Sequence, residues 1–88
     1  MKRDKIEKKV LTILQDYLEH PKLQMDVNLF EETDIDKVEY ADLIIEFEEE
    51  FEISFNDKDV WEDGNVEAGD PLLTAPRAIV DLIEANLN

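Results

Sequence analysis

The chain has no cysteine, a single serine (Ser54) and a single histidine (His20), and only two glycines and three prolines. Without cysteine there is no disulfide framework and no thiolate metal site, and the redox compartment stays open. With one serine and one histidine far apart in sequence, no nucleophile-and-base cluster is visible, so no enzymatic activity and no catalytic residue is expected. Long apolar runs are also missing: none approaches the roughly 20 residues of a membrane span. The opening MKRDKIEKK has no apolar segment behind it, so no secretory signal is expected and the cytoplasm is the default location.

Positive charge is the other shortage. Nine basic residues face 24 acidic ones, for a formal net charge of −15 over 88 residues. The imbalance is local: Met1 to Met25 carries six basic and four acidic residues, whereas Asp26 to Asp70 carries 18 acidic residues against Lys37 and Lys58. Such a field repels nucleic-acid phosphates and anionic lipid, and steers basic protein surfaces towards the middle of the chain. The same charge could serve solubility alone, and composition does not separate the two. The acidic run Asp57 to Glu67, DKDVWEDGNVE, hints at calcium but fails the EF-hand spacing, because Trp61 falls where the third oxygen ligand belongs. No dedicated metal site is expected.

What remains is a helical pattern in one domain spanning residues 1–88. Apolar residues at Ile6, Val10, Ile13, Leu14, Tyr17 and Leu18 predict a first helix over Asp4 to Glu19 with a single buried face. Asp4 and Glu7 have capping-box spacing, and His20-Pro21 ends the helix, with His20 placed to favour its C-terminus. Lys22 to Ile35 reads as an ordered connection pinned by Leu23, Met25, Val27, Leu29 and Phe30, with a short turn near Asn28 to Glu32. Asp36 to Glu52 is the second long helix. Asp36 and Glu39 form its capping box, and Tyr40, Leu43, Ile44, Phe47 and Phe51 are its core stripe. Val38, Ala41 and Ile45 form a second apolar line beside that stripe. A short helix capped by Asn56 follows, with Val60 and Trp61 buried. A glycine-containing loop then leads to a last helix capped by Thr74, with Ile79, Leu82, Ile83 and Leu87 facing inward. The expected fold class is all-α, a small four-helix bundle of three longer helices and one short one.

The order of helices and the segment FEETDIDKVEYADLIIEFEEEFEISFND, Phe30 to Asp57, resemble the acyl carrier protein family. Glu31-Glu32 match its acidic pair, Asp36 and Val38 the first and last residues of its Asp-Ser-Leu, and Glu48-Glu49-Glu50-Phe51 its helix end. LLTAPRAIVDLI, Leu72 to Ile83, resembles its last helix. About ten extra residues between Glu62 and Leu73 depart from the pattern. The resemblance implies 4′-phosphopantetheine on the serine hydroxyl of that motif, but Lys37 occupies the position. An ammonium group supplies no oxygen for a phosphodiester, so no cofactor is expected. Ser54 lies about 25 Å further along at the helical rise, and Thr33 is four residues out of register.

The resemblance also implies a partner surface: Asp36, Val38, Glu39, Asp42, Ile45, Glu46 and Glu49 match the face that meets a basic patch on a fatty-acid or polyketide-type enzyme. The bland alternative places Val38 and Ile45 in the core and leaves the acids as a solvated face. The expected function is therefore an acidic, acyl-carrier-like monomer without a covalent arm that docks a basic partner and neither nucleic acid nor membrane. Two alternatives stand beside it: a small acidic inhibitor or immunity-type protein that blocks a cationic partner, and a genuine carrier with an atypical attachment residue.

Overall fold

A computed structural model describes residues 1–87. Among the described residues five α-helices follow one another: α1 (Arg3–Tyr17), α2 (Leu29–Glu32), α3 (Lys37–Phe51), α4 (Asp57–Val60) and α5 (Pro76–Leu87). A 3-10 turn at Glu62–Gly64 follows α4. No strand is present among the described residues; the sole extended pairing is an isolated antiparallel bridge between Trp61 and Pro71. No described helix is long and apolar enough to cross a membrane.

Local sequence dictates most of the helix starts. Asn28 and Asn56 accept from the N–H groups of Phe30 and Lys58 and so cap the short helices α2 and α4. The α3 capping box is complete: Asp36 Oδ1 accepts from Glu39 N–H at 2.9 Å, and Glu39 Oε1 accepts from Asp36 N–H at 3.3 Å. The box expected at Asp4 does not form. Helix α1 begins a residue earlier, with Lys2 at the cap position and no side-chain cap. Helix α5 starts at Pro76, so Ala75 precedes it where Thr74 was expected, and the Ala75 carbonyl accepts from Ala78 and Ile79.

The two long helices that lead into loops end alike. Glu19 and Glu52 both adopt left-handed φ, 53° and 55°. The next N–H reaches back five residues, from His20 to the Gln15 carbonyl and from Ile53 to the Glu48 carbonyl, each at 3.0 Å. Helix α1 therefore stops at Tyr17 rather than Glu19. His20 contributes its backbone to this ending; its buried Nδ1 has no hydrogen-bond partner.

The buried residues form one cluster. Helix α1 gives Ile6, Val10 and Leu14, α3 gives the full expected stripe of Tyr40, Leu43, Ile44, Phe47 and Phe51, and α5 gives Pro76, Ile79, Val80 and Ile83. Each fully buried aliphatic or phenyl side chain contributes about 1.5–3 kcal/mol. Leu82 and Leu87 are only partly buried, and Val80 takes a deeper place than the pattern suggested. Helices α1 and α5 lie antiparallel, with Arg3 reaching Asp81 at 2.7 Å and Glu84 at 3.2 Å.

The connection from Leu18 to Asp36 crosses from the end of α1 to the start of α5. Leu29 N–H donates to the Thr74 carbonyl at 2.7 Å, Arg77 N–H to the Met25 carbonyl at 3.0 Å, and the Arg77 guanidinium to Asp26. Leu23, Leu29 and Ile35 anchor it in the core. Trp61 is buried beside Tyr40, edge to face with ring centroids 5.0 Å apart.

Candidate functional site

Helix α3 divides its apolar residues between two environments. Its five-residue stripe is buried, whereas Val38 and Ile45, seven positions apart and so on one line of the helix, are 70% and 53% exposed. The reading that assigned this pair to the core is overturned; Ala41 between them is half-buried. Asp42, Glu46 and Glu49 are exposed beside the pair. The result is a ridge with two bare aliphatics and a row of carboxylates.

The other two members of the predicted surface have local work to do. Asp36 and Glu39 are the two halves of the α3 capping box. Both remain at the acidic end of the ridge, but their carboxylates are engaged with backbone N–H groups. A charge change there would fray α3 as well as alter its surface.

Tyr17 was missed. Its 3.6-residue period places it with the core residues of α1, yet it is 37% exposed. Helices α1 and α3 run antiparallel: Lys9 in the middle of α1 meets Glu50 at 3.3 Å near the α3 end, while Tyr17 at the α1 end lies within the field of Asp42 and Glu39 nearer the α3 start. Tyr17 at the α1 end therefore stands against the α3 start. Partial burial, followed by the charges of Asp42, Glu39, Glu46 and Asp36, holds its phenol above the ordinary tyrosine range. The sequence offered one usable signal, its place in the last turn of a helix, where a side chain can overrun the core.

Lys37, the first residue of α3, pairs with Asp70 at 3.3 Å. Both side chains are half or more exposed, so the pair orients more than it stabilises. Together they rim a cleft of about 440 Å³ lined also by Asn28, Phe30, Asp36, Pro71 and Thr74. Asp70 belongs to the extra loop between Glu62 and Leu73. That loop is closed at its base by Glu62 N–H to the Asp70 carbonyl (2.9 Å) and by Leu72 N–H to the Val60 carbonyl (3.0 Å). Inside it Asn65 Oδ1 accepts from Glu67 and Ala68 N–H. Gly69 is compelled: a Cβ there would lie 2.4 Å from the Glu62 carbonyl oxygen and 2.6 Å from that of Asn65.

Thr74 brings a hydroxyl to the Lys37 cleft, whereas neither Thr33 nor Ser54 lines it. Thr33 Oγ1 donates to the Leu29 carbonyl at 2.7 Å and accepts from Ile35 N–H at 3.2 Å. Ser54 is exposed beyond the opposite end of α3. Among the described residues no three His, Cys, Asp or Glu side chains converge as metal ligands. Neither a protein-family model nor a curated protein matches this sequence.

Proposed function

We propose that this chain is a binding module of the acyl-carrier kind, a small four-helix bundle that docks a basic partner enzyme through α3 and carries no pantetheine arm. The observation that carries the reading is the exposure of Val38 and Ile45 on a helix that buries its other large apolar residues. Two aliphatics bared to water serve the fold poorly, whereas under a partner they give contact area. Asp42, Glu46 and Glu49 around them supply the field that speeds encounter with a cationic surface. Lys37 at the family's attachment position, paired with Asp70, supports the absence of an arm.

The test is charge reversal at positions free of the capping box. Asp42→Lys, Glu46→Lys and Glu49→Lys together should abolish the complex formed in lysate of the protein's own host and leave helicity and melting unchanged. A complex that survives the triple reversal would overturn the docking reading. Intact mass of the protein from the same host is expected to equal the sequence mass; a pantetheine-sized increment would overturn the second half of the proposal.

A further inference from the structure

The acidic flank of α3 is not a face turned to open water on both sides. Glu50 meets Lys9 of α1 at 3.3 Å, so α1 lies on that side of α3. At about 100° per residue, the arc from the Val38–Ile45 line round to Glu50 passes Asp42 at about 50° and Glu46 at about 90°, and reaches Glu50 at about 130°. Asp42 and Glu46 therefore stand between the two bare aliphatics and α1. Both are exposed, and among the described residues neither has a basic partner: the ion pairs go to Glu7, Asp26, Glu50, Asp70, Asp81 and Glu84.

Tyr17 forms the far bank of these acids. The Lys9–Glu50 contact sets the register of the antiparallel helices. Eight residues on along α1 is Tyr17, and eight residues back along α3 is Asp42, about 12 Å in each case. The two are therefore level. The field at Tyr17 agrees with that register: after partial burial, Asp42 is the first of the charges that raise its phenol, ahead of Glu39, Glu46 and Asp36. The ring is exposed, as are Val38 and Ile45. Unpaired carboxylates thus lie between an aromatic bank on α1 and an aliphatic bank on α3.

We infer that Tyr17 belongs to the docking surface and that it selects an arginine of the basic partner, whose guanidinium lies on the Tyr17 ring with its N–H edge on Asp42. This rests on the docking reading and deepens it. A row of carboxylates attracts lysine and arginine alike and gives no choice between them. An aromatic face beside the row does. The planar guanidinium is more weakly hydrated than an ammonium, stacks on a ring, and still presents N–H donors in its own plane to a carboxylate. A lysine placed on Asp42 makes the charge contact as a compact point charge and leaves the ring largely uncovered. Tyrosine and arginine are also the residue types in which the binding energy of interfaces concentrates.

Two labelled synthetic peptides with the same apolar stripe and the same net charge test it by fluorescence anisotropy at physiological salt. One has arginine at every basic position, the other lysine. The wild-type protein should bind the arginine peptide about two- to fivefold more tightly, the range of one exposed cation–π contact. Tyr17→Leu, which keeps apolar bulk and removes the ring, should bring the two affinities together, whereas Tyr17→Phe should preserve the preference. Asp42→Lys with Glu46→Lys should weaken both peptides, with circular dichroism confirming that each variant is folded. If the wild type binds the two peptides equally, or if Tyr17→Leu keeps the arginine preference, this inference falls; the docking reading stands as long as the acid reversals weaken both peptides. If the acid reversals change neither peptide, both fall.

Discussion

Tyr40 shows how much one hydroxyl can hold. Its ring is 1% exposed, its O–H donates to the Val60 carbonyl at 2.8 Å, and its oxygen accepts from Leu73 N–H at 3.2 Å. It therefore joins α3 to both sides of the loop base. Tyr40→Phe strands the buried Leu73 N–H, while the Val60 carbonyl keeps its bond from Leu72 N–H, and should cost about 1–3 kcal/mol in urea denaturation, the penalty for one unsatisfied group. Burial pushes the Tyr40 phenol up to about 12. The folded state holds this proton more tightly than the unfolded chain, whose tyrosines titrate near 10. The contribution is then fully present below about pH 10 and is lost as pH rises through 12. Wild-type stability should start to fall above about pH 10, and the Tyr40→Phe variant should lack that component of the decline. The Asp26 carboxyl behaves oppositely: its hydrogen bonds from Arg77 hold it below the usual range, so its share is present at neutral pH and fades on acidification.

At the scale of elements, the loop between α4 and α5 decides what surrounds the start of α3. The bridge between Trp61 and Pro71 and the paired N–H bonds at its base bring Asp70 to Lys37, 33 positions away in sequence. Gly69 is the tightest point of that loop. Gly69→Ala should therefore cost about 1–3 kcal/mol, as overpacking against backbone does, and should shift the amide resonances of Asp70 and Lys37 ahead of those of α1. An unchanged urea midpoint would show that the loop can relax around a methyl group. The helix ends were partly legible. Asp36 and Asn56 cap as read, since a cap needs only the next three residues, and Asn28 caps a short helix where a turn was expected. The left-handed Glu19 and Glu52 were not legible, because glycine is the usual occupant there and glutamate gives no signal.

Across the whole molecule, the sign of the charge follows position: basic at the start of α1, acidic along α3 and the loops around it. Repulsion among the middle-segment carboxylates opposes compaction. Melting temperature should rise as sodium chloride is added through the physiological range, where the screening length falls to about 8 Å. A melting temperature that falls over the same range would mean that the ion pairs outweigh the repulsion.

The sequence by itself determined the all-helical class, the core stripe of α3 and its capping box, because periodicity and caps are interactions between residues three or four apart. It also determined that Lys37 offers no hydroxyl at the start of α3. Only the tertiary structure decided that Val38 and Ile45 stand in water, that Tyr17 joins the acidic end of the ridge, and that Asp70 meets Lys37. Helical period gives the relative angle of side chains on one helix; which arc of that circle a neighbouring helix covers depends on where the rest of the chain packs.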